Sequence, residues 1–474
     1  MGLGVCGCTN KSPRAPGVQL SGCRLEGLGV EARCGSLSVF EDRARKAGRR
    51  IELRYAVVPA LAAAPRPDPL FVLVGGPGQA ATKAGAQIAE ALRDVQRTRD
   101  IVLVDQRGTG GSHPLGCKEE PEASSLAKRF APRFDLDETR ACRDALDADA
   151  SHYTTDVAMD DLDDVRQALG YDRINLWGGS YGTRAALVYF RQHREHVRSL
   201  TLDGAAPFAI ELPLYVGRDG QRALDLLYAD CARDPECQAA FPDAKVALDR
   251  LLSRLGEAPE AIQITHPRTG LRENIRIERE GLASVLLNLL YVPDLAGLIP
   301  LGVKRASDGD WGTLVASADA FSEAVALSTG MFLSVVCAED IARVSATDAE
   351  EQTHGTFLGG AWLGRLRMQC DEWKSAVLPE SYFEPVSGQV PSLILSGNLD
   401  PVTPPVWGEL VANRLTPSRH VVVPGAGHGV SSLGCLPKLI AEFIEHLDPA
   451  RLDLGCVEAR KRPAFFTSLE GPSP

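Results

Sequence analysis

The chain has 474 residues, with 62 acidic side chains against 51 lysines and arginines, so its formal net charge at pH 7 is −11. Hydrophobic residues make up 44% and charged residues 24%. These usages are typical of a globular protein and exclude a disordered, collagen-like or coiled-coil chain. The acidic balance argues against binding to nucleic acid, which needs clustered lysine and arginine. No segment approaches the roughly 20 apolar residues that span a bilayer.

The first part of the chain predicts a short antiparallel hairpin and then alternating strands and helices. Wholly apolar strands of four or five residues are typical of a parallel sheet that is buried on both faces. The alternation of strand and helix therefore predicts an α/β fold with a mostly parallel, doubly wound sheet. The predicted strands are Ser36–Phe40, Ile51–Val58, Leu70–Val74, Ile101–Asp105, Arg173–Trp177 and Val197–Leu202, and the predicted helices are Ala81–Arg97, Asp156–Leu169 and Thr183–His193.

The alternation stops near residue 208, where mainly helical patterns begin. Strand patterns return at Ser392–Ser396 and His420–Val423, before a closing helix at Leu436–Leu447. We therefore predict an irregular N-terminal segment (1–34), the first part of the α/β core (35–207), a mainly helical cap inserted before the last two strands (208–375) and the second part of the core (376–474). An insertion of this size usually covers a binding site.

The sequence Gly178-Gly-Ser180-Tyr-Gly182 lies between a predicted strand and a predicted helix. This is the Gly-x-Ser-x-Gly pattern of a nucleophile elbow, in which a sharp turn pushes the serine hydroxyl away from the backbone. The helix that follows directs its free N–H groups toward that oxygen. The pattern predicts that Ser180 is a nucleophile.

A serine nucleophile needs a histidine base, and the base needs an acid that orients it. In this fold the acid comes first along the chain and the histidine second. Asp400 follows the predicted strand Ser392–Ser396, and His428 follows His420–Val423 with a glycine on each side. We predict Asp400 and His428 as these partners. The remaining histidines are interpreted as ordinary core or surface residues, and the aspartates between 156 and 164 as a solvated helix face.

The tetrahedral intermediate of acyl transfer needs two N–H donors. One is the backbone N–H of Tyr181. The other comes from the loop Gly75–Gly78, where Pro77 has no N–H, so that Gly76 or Gly78 must donate; we predict Gly76. Neither a P-loop lysine pattern nor the spacing of a dinucleotide fingerprint is present, so no cofactor is predicted, and no cysteine–histidine spacing predicts a metal site.

The twelve cysteines are an even number, and ten of them form couples close in sequence. This spacing favours disulfides in an oxidising compartment over free thiols, although sequence alone does not fix connectivity. Cys6 and Cys8 fit no couple, and a lipoprotein signal stub is one interpretation of them. The proposed pairs are 23–34, 117–142, 231–237, 337–370 and 435–456.

Several motifs together resemble the α/β-hydrolases of the proline iminopeptidase and tripeptidyl aminopeptidase family. They are Gly75–Gly78, Asp105–Gly110, Tyr153–Thr155, Gly178–Thr183 and Leu399–Pro404. Val74 stands where many members carry histidine, a departure that tripeptidyl-aminopeptidase-like members share. The part Tyr382–Val457 resembles the TAP-like C-terminal region of exported bacterial members. The resemblance implies an exported exopeptidase that releases residues from the free N-terminus of peptides, with lipid anchoring as an open alternative.

Recognition of a free N-terminus requires negative charge that pairs with the substrate ammonium, because an unpaired buried cation is costly. We predict Glu339, then Asp340, as the binding groups, with Glu372 and Asp371 as weaker candidates. A solvated acidic turn is the alternative for Glu339 and Asp340.

The predicted function is a serine aminopeptidase. The alternative within the enzyme class is a carboxylesterase of the same fold, because the same triad hydrolyses esters. A hydrolase-fold binding protein with a silent site is the remote alternative. An epoxide hydrolase or dehalogenase is disfavoured, because those enzymes carry aspartate at the elbow.

Overall fold

The computed structural model describes residues 19–117, 126–130, 136–322 and 327–471. Within these ranges nine strands form one sheet in the order β1-β2-β3-β5-β4-β6-β7-β10-β11, and β8 and β9 form a separate hairpin. The strands are β1 (Ser21–Cys23), β2 (Ala32–Phe40), β3 (Arg50–Val58), β4 (Leu70–Leu73), β5 (Ile101–Val104), β6 (Ile174–Gly179), β7 (Val197–Asp203), β8 (Glu260–Thr265), β9 (Arg272–Ile277), β10 (Gly388–Gly397) and β11 (Leu415–Val423).

The helices fall into three groups along the chain. Those before β7 are α1 (Ala84–Ala91), α2 (Arg93–Gln96), α3 (Leu126–Phe130), α4 (Leu136–Ala145), α5 (Thr155–Leu169) and α6 (Tyr181–Gln192). Those between β7 and β10 are α7 (Val216–Arg233), α8 (Pro235–Ala240), α9 (Ala244–Glu257), α10 (Arg279–Leu290), α11 (Pro293–Ala296), α12 (Ile299–Ser307), α13 (Gly312–Ser322), α14 (Thr329–Glu339), α15 (Ala346–Thr353) and α16 (Ala361–Glu372). The last are α17 (Pro405–Ala412), α18 (Leu436–His446) and α19 (Gly455–Glu458).

The sheet changes character between its two ends. The pairs β1–β2, β2–β3 and β3–β5 are antiparallel, whereas β5–β4 and every following pair through β10–β11 are parallel. The short strands β4 and β5 are buried along their whole length. Helices α5 and α6 pack on one face, and α1, α2 and α18 on the other. The predicted α/β fold with a mostly parallel, doubly wound sheet is confirmed.

We call the elements α7–α16 and the β8–β9 hairpin the cap. Helices α14 and α16 pack in a separate cluster with α4, whereas helices α7–α13 and the hairpin share a hydrophobic core. Helix α3, which precedes β6 in sequence, also packs there through Leu126 and Phe130. A β-carbon at Gly281 of α10 would lie 1.9 Å from the carbonyl oxygen of Phe130, so only glycine fits at this contact. The cap is therefore joined to the first part of the core by more than its own two ends.

All five disulfide pairs predicted from sequence spacing are present, with Cα–Cα distances from 4.9 to 6.4 Å. Cys23 and Cys34 join β1 to β2, so the segment predicted to be irregular contains one strand and the start of another. A strand of three residues is too short to show a recognisable periodicity in the sequence. Cys6 and Cys8 lie outside the described residues. Within the described ranges, no helix has the length and apolar character needed to cross a membrane.

The loop after β5 is held by a buried ion pair between Arg107 and Asp161. Asp161 was predicted to lie on a solvated helix face, but it is 1% exposed and accepts two hydrogen bonds from Arg107, at 2.6 and 2.9 Å. Arg107 is itself 0% exposed and also donates to the carbonyl oxygens of Glu41 and His152. The pair fixes a loop at the carboxyl edge of the sheet, the edge at which β6 leads into Ser180.

Candidate active site

Ser180 occupies a strained turn between β6 and α6, with φ of 55° and ψ of −126°. A β-carbon at Gly178 would lie 2.4 Å from the carbonyl oxygen of Gly182, and one at Gly182 would lie 2.0 Å from that of Leu73. Both glycines are therefore required by close backbone contacts. The geometry is that of the nucleophile elbow predicted from the motif.

His428 and Asp400 are in direct contact although they come from different loops. Nδ1 of His428 lies 2.8 Å from Oδ2 of Asp400. The other oxygen, Oδ1, accepts the backbone N–H groups of Val402 and Thr403, at 2.9 and 2.8 Å. These bonds fix the carboxylate, which in turn holds the imidazole with Nε2 left for a substrate or a nucleophile.

Thr403 takes part in this contact and was missed by the sequence analysis. Its hydroxyl donates to Oδ2 of Asp400 at 2.8 Å and lies 3.1 Å from Nδ1 of His428. A hydroxyl three residues after an aspartate is a common turn feature, so the motif alone does not distinguish this role.

Asp203, at the end of β7, was also missed. It is 2% exposed and accepts the backbone N–H groups of Val430 and Ser431, at distances of 2.7 to 3.0 Å. Those residues lie two and three positions after His428, so the carboxylate anchors the histidine loop to the strand beside the elbow. A carboxylate at the carboxyl end of a buried strand was the available signal.

The elbow and the histidine meet at the end of β7. The backbone N–H of Ser180 donates to the carbonyl oxygen of Asp203 at 2.8 Å. The next residue is Gly204, where a β-carbon would lie 3.2 Å from Cε1 of His428. Among the described residues no hydrogen bond joins the Ser180 hydroxyl to the imidazole. Such contacts are often long before substrate binds and shorten in the reacting complex.

The two members of the contact shift each other's titration. Burial alone would lower the pKa of His428, but the charge and hydrogen bond of Asp400, with a contribution from Asp203, raise it above its ordinary value. Burial alone would raise the pKa of Asp400, but the charge and hydrogen bond of His428 and the backbone donors lower it. Asp400 is therefore ionised where the imidazole works as a base.

The two predicted oxyanion donors lie on the segments that flank Ser180. A β-carbon at Gly75 would lie 3.0 Å from Cβ of Ser180, so the Gly75–Gly78 loop passes directly beside the elbow. Gly76 has φ of 107°, and its N–H has no hydrogen-bond partner among the described residues. Tyr181 is the first residue of α6, so its N–H has no carbonyl partner within the helix.

The cap contacts the histidine loop through Tyr291, which follows α10. The backbone N–H of His428 donates to the carbonyl oxygen of Tyr291 at 3.0 Å, and the rings of the two residues meet edge to face with centroids 5.0 Å apart. A β-carbon at Gly427 would lie 2.2 Å from that same oxygen. Gly427 is therefore needed for the close approach of the cap.

The prediction that Glu339 and Asp340 bind a substrate ammonium does not fit the structure. Both side chains are 0% exposed. Asp340 accepts two hydrogen bonds from Arg184, at 3.0 and 2.9 Å, and the backbone N–H of Leu212. Glu339 accepts three hydrogen bonds, two of them from Thr155. Both carboxylates are satisfied within the protein and have no surface for a ligand.

The weaker candidates are also placed away from this role. Glu372 accepts hydrogen bonds from Arg140 and Arg143 near the surface, and Asp371 is exposed. In the part of the chain that the structure describes, no group of three histidine, cysteine, aspartate or glutamate residues could hold a metal ion. The arrangement at Ser180 is suited to attack on a carbonyl carbon, with proton transfer through His428 and two N–H groups for the developing oxyanion.

Comparison with known proteins agrees with the fold and the motifs. A family model described as alpha/beta hydrolase fold matches residues 68–255, and one described as TAP-like protein matches residues 356–456. Serine protease Hip1 of Mycobacterium tuberculosis is 27% identical over 455 residues, which cover 87% of this chain and 85% of that protein. Carboxylesterase B of the same species is 29% identical over 434 residues, covering 81% and 78%. The tripeptidyl aminopeptidase of Streptomyces lividans is 28% identical over 186 residues, covering 36% and 35%.

Proposed function

This chain belongs to the α/β-hydrolases and carries a TAP-like C-terminal part, and from that membership we propose that it is a serine exopeptidase acting on peptides with a free N-terminus. The single observation that carries the serine hydrolase part of the proposal is the 2.8 Å contact between His428 and Asp400 at the edge where Ser180 occupies its strained turn. The similarity to proteins named serine protease and tripeptidyl aminopeptidase supports peptide over other acyl substrates.

The reaction is acyl transfer in two steps. Oγ of Ser180 attacks the carbonyl carbon while His428 accepts its proton, and the N–H groups of Gly76 and Tyr181 bind the oxyanion. The C–N bond then breaks, the proton passes from His428 to the leaving amine, and an ester on Ser180 remains. Water attacks this ester through the same base, which releases the acid and restores the hydroxyl. Asp400 keeps the imidazole in the reactive tautomer throughout.

Labelling with a fluorophosphonate probe tests the nucleophile. We expect one modified serine in the wild-type protein and no labelling of Ser180→Ala, with hydrolysis of an aminoacyl arylamide reduced by roughly 10⁴-fold or more. A Ser180→Ala protein that keeps its labelling and its activity would overturn the proposal. A folded wild-type protein that neither labels nor hydrolyses would favour the silent binding protein.

Carboxylesterase is the second candidate, favoured by a relative of that name which matches 81% of this chain. The discriminating experiment compares an aminoacyl arylamide with its N-acetylated form and with a short acyl ester. A peptidase that recognises the free amine loses most of its activity on acetylation and hydrolyses the arylamide efficiently. An esterase is indifferent to acetylation and prefers the ester.

The five disulfides are typical of an oxidising compartment, and we include export from the cytoplasm in the proposal. Fractionation of the native host tests this part. Recovery of the protein in the cytoplasm with ten free thiols at these positions would contradict it, without bearing on the reaction.

A further inference from the structure

One helix of the cap, α14, contacts the segments that carry both oxyanion donors. Just before its N-terminus, the backbone N–H of Ser328 donates to the carbonyl oxygen of Gly78 at 2.9 Å. A β-carbon at Gly76 would lie 2.9 Å from Cδ2 of Leu327. The start of α14 therefore packs against the loop that presents the Gly76 N–H.

The C-terminal end of α14 reaches the side chain of Tyr181, whose backbone N–H is the other donor, through a chain of buried hydrogen bonds. Oε1 and Oε2 of Glu339 accept the N–H and the hydroxyl of Thr155, at 2.7 and 2.9 Å. The Thr155 hydroxyl in turn lies 2.7 Å from the hydroxyl of Tyr181. When Glu339 is ionised, the single hydroxyl hydrogen of Thr155 bonds to the carboxylate, and Tyr181 is then the donor in this second contact. The chain runs from Tyr181 through Thr155 to Glu339.

The middle of α14 is packed against the same parts of the core. Met331 and Val335 form a hydrophobic cluster with Tyr181 and Leu115. The backbone N–H of Gly330 donates to the carbonyl oxygen of Leu115 at 2.8 Å, and a β-carbon at Gly330 would lie 2.4 Å from that oxygen. The helix thus contacts the core along its length, from the Gly75–Gly78 loop to the start of α6.

We propose that α14 sets the distance between the two oxyanion donors, with Thr155 and Glu339 as positioning residues that hold Tyr181. This inference rests on the proposed function, because it assigns a role within the same acyl transfer. A donor contributes fully only when it is held at the place where negative charge develops, and small misplacements reduce rates strongly. Glu339 and Asp340, the carboxylates that were predicted to bind substrate, therefore affect the reaction indirectly, through residues packed behind the nucleophile elbow.

The surroundings of Glu339 explain why a carboxylate stands there. It lies at the N-terminus of α5, where its charge meets free N–H groups and the positive end of the helix dipole. The hydroxyl of Tyr382 donates to Oε1 at 2.9 Å, and Nη1 of Arg184 on α6 lies 3.6 Å from Oε2. The neighbouring Asp340 holds the same guanidinium. Elements from the core and the cap therefore converge on one carboxylate.

The main test is Thr155→Val, which keeps the shape of the side chain but removes the hydroxyl that links Tyr181 to Glu339. We expect kcat for a peptide arylamide to fall about ten-fold with KM changed less than about two-fold, because the loss concerns the transition state alone. The inhibition constant of a peptide aldehyde, whose adduct places an oxyanion in the same hole, should rise by a similar factor. Thr155→Ser, which keeps the hydroxyl, should restore both values.

Thr154→Val is the matched control. Thr154 is also buried, at 2% exposed, and its hydroxyl donates to Asp156 in the first turn of the same helix instead of contacting Tyr181. Any loss through weakening of α5 should appear equally in both valine variants. Only Thr155→Val should change kcat and the aldehyde constant per active site, as counted by fluorophosphonate titration.

Glu339→Gln gives a second readout on the cap side. An amide nitrogen in place of Oε2 cannot accept from Thr155, so we expect a few-fold loss in kcat with KM unchanged. Glu372→Gln, the same change at a half-buried carboxylate of the cap that pairs with Arg140 and Arg143, should leave the kinetics unaltered.

If Ser180→Ala abolishes activity while Thr155→Val matches Thr154→Val, the positioning role is wrong and the proposed function stands. If Ser180→Ala retains activity, the proposed function itself fails.

Discussion

Two buried carboxylates, one in the core and one in the cap, show how differently burial can act. Asp400 and Glu339 are both 0% exposed. Burial pushes the pKa of each upward, yet the pKa of Asp400 ends below its ordinary value, whereas that of Glu339 rises to about 7. The core carboxylate is ionised at neutral pH, and the cap carboxylate titrates there.

The difference lies in the partners of each carboxylate. Asp400 pairs with His428 and also accepts the Thr403 hydroxyl and two backbone N–H groups. Glu339 must share Arg184 with Asp340, which holds that guanidinium by two hydrogen bonds. Burial raises the pKa of Glu339 more than Arg184 and the hydrogen bonds from Thr155 lower it, and the charge of Asp340 raises it further. Burial therefore does not decide ionisation by itself, because the charged and hydrogen-bonding partners of each carboxylate also contribute.

The largest expected effect is on the catalytic rate, where substitution of Asp400 should cost far more than substitution of Glu339. Asp400→Asn keeps the size of the side chain but removes the charge that selects the tautomer of His428, so kcat should fall about 10⁴-fold. Glu339→Gln should cost only a few-fold. Steady-state kinetics with an aminoacyl arylamide measure both, and circular dichroism checks that both proteins are folded. Equal losses in the two variants would break the distinction between a catalytic and a positioning carboxylate.

Most of the core site could be predicted from the sequence, because its requirements are local. The elbow needs small residues at Gly178 and Gly182 around Ser180, and these stand within five positions of one another. Strand patterns placed Asp400 and His428 at the same edge of a parallel sheet, which is where the structure has them. Helix boundaries were less exact: the helix predicted at Ala81–Arg97 is divided into α1 and α2.

The role of the cap carboxylates could not be predicted, because their partners are distant in sequence. Asp340 and Arg184 are separated by 156 positions. Two adjacent acidic residues look alike whether they face solvent, a ligand or a buried arginine. The same holds for Asp161, whose partner Arg107 lies 54 positions away. Local periodicity carries no information on such pairs, and only the folded geometry reveals them.

A smaller effect should appear in stability as a function of pH. The pKa of Glu339 is about 7 in the folded protein against an ordinary value of 4.5. Between these values the folded state holds a proton that the unfolded state has lost, so the contribution of Glu339 to stability falls as pH rises from about 4.5 to 7. The fall amounts to about 3 kcal/mol, at 1.36 kcal/mol per pKa unit.

Urea unfolding of the wild-type protein and Glu339→Gln at pH 4.5 and pH 8, with disulfides intact, measures this contribution. Because all other groups titrate in both proteins, the difference in their free energies of unfolding isolates Glu339. The wild type should lose stability relative to the variant as pH rises. A difference that stays constant would place the carboxylate with Asp400, ionised throughout, and remove the contrast between core and cap.

The smallest expected effect concerns the hydroxyl that Tyr382 donates to Glu339 at 2.9 Å. A hydrogen bond to an ionised acceptor is worth more than one to a neutral group, so the cost of Tyr382→Phe should grow from about 1 kcal/mol at pH 5.5 to about 2 kcal/mol at pH 8.

Tyr189→Phe is the matched control, because Tyr189 donates to Asp163 at 2.7 Å. Burial raises the pKa of Asp163, but Arg166 and Tyr189 outweigh it and lower that pKa, so this carboxylate is ionised at both values and the cost should not change. The free energies of unfolding of the two phenylalanine variants at both pH values test this expectation. Costs that change in parallel would mean that Glu339 does not titrate between pH 5.5 and 8. The sharing of Arg184 with Asp340 would then be too weak to set the charge of Glu339.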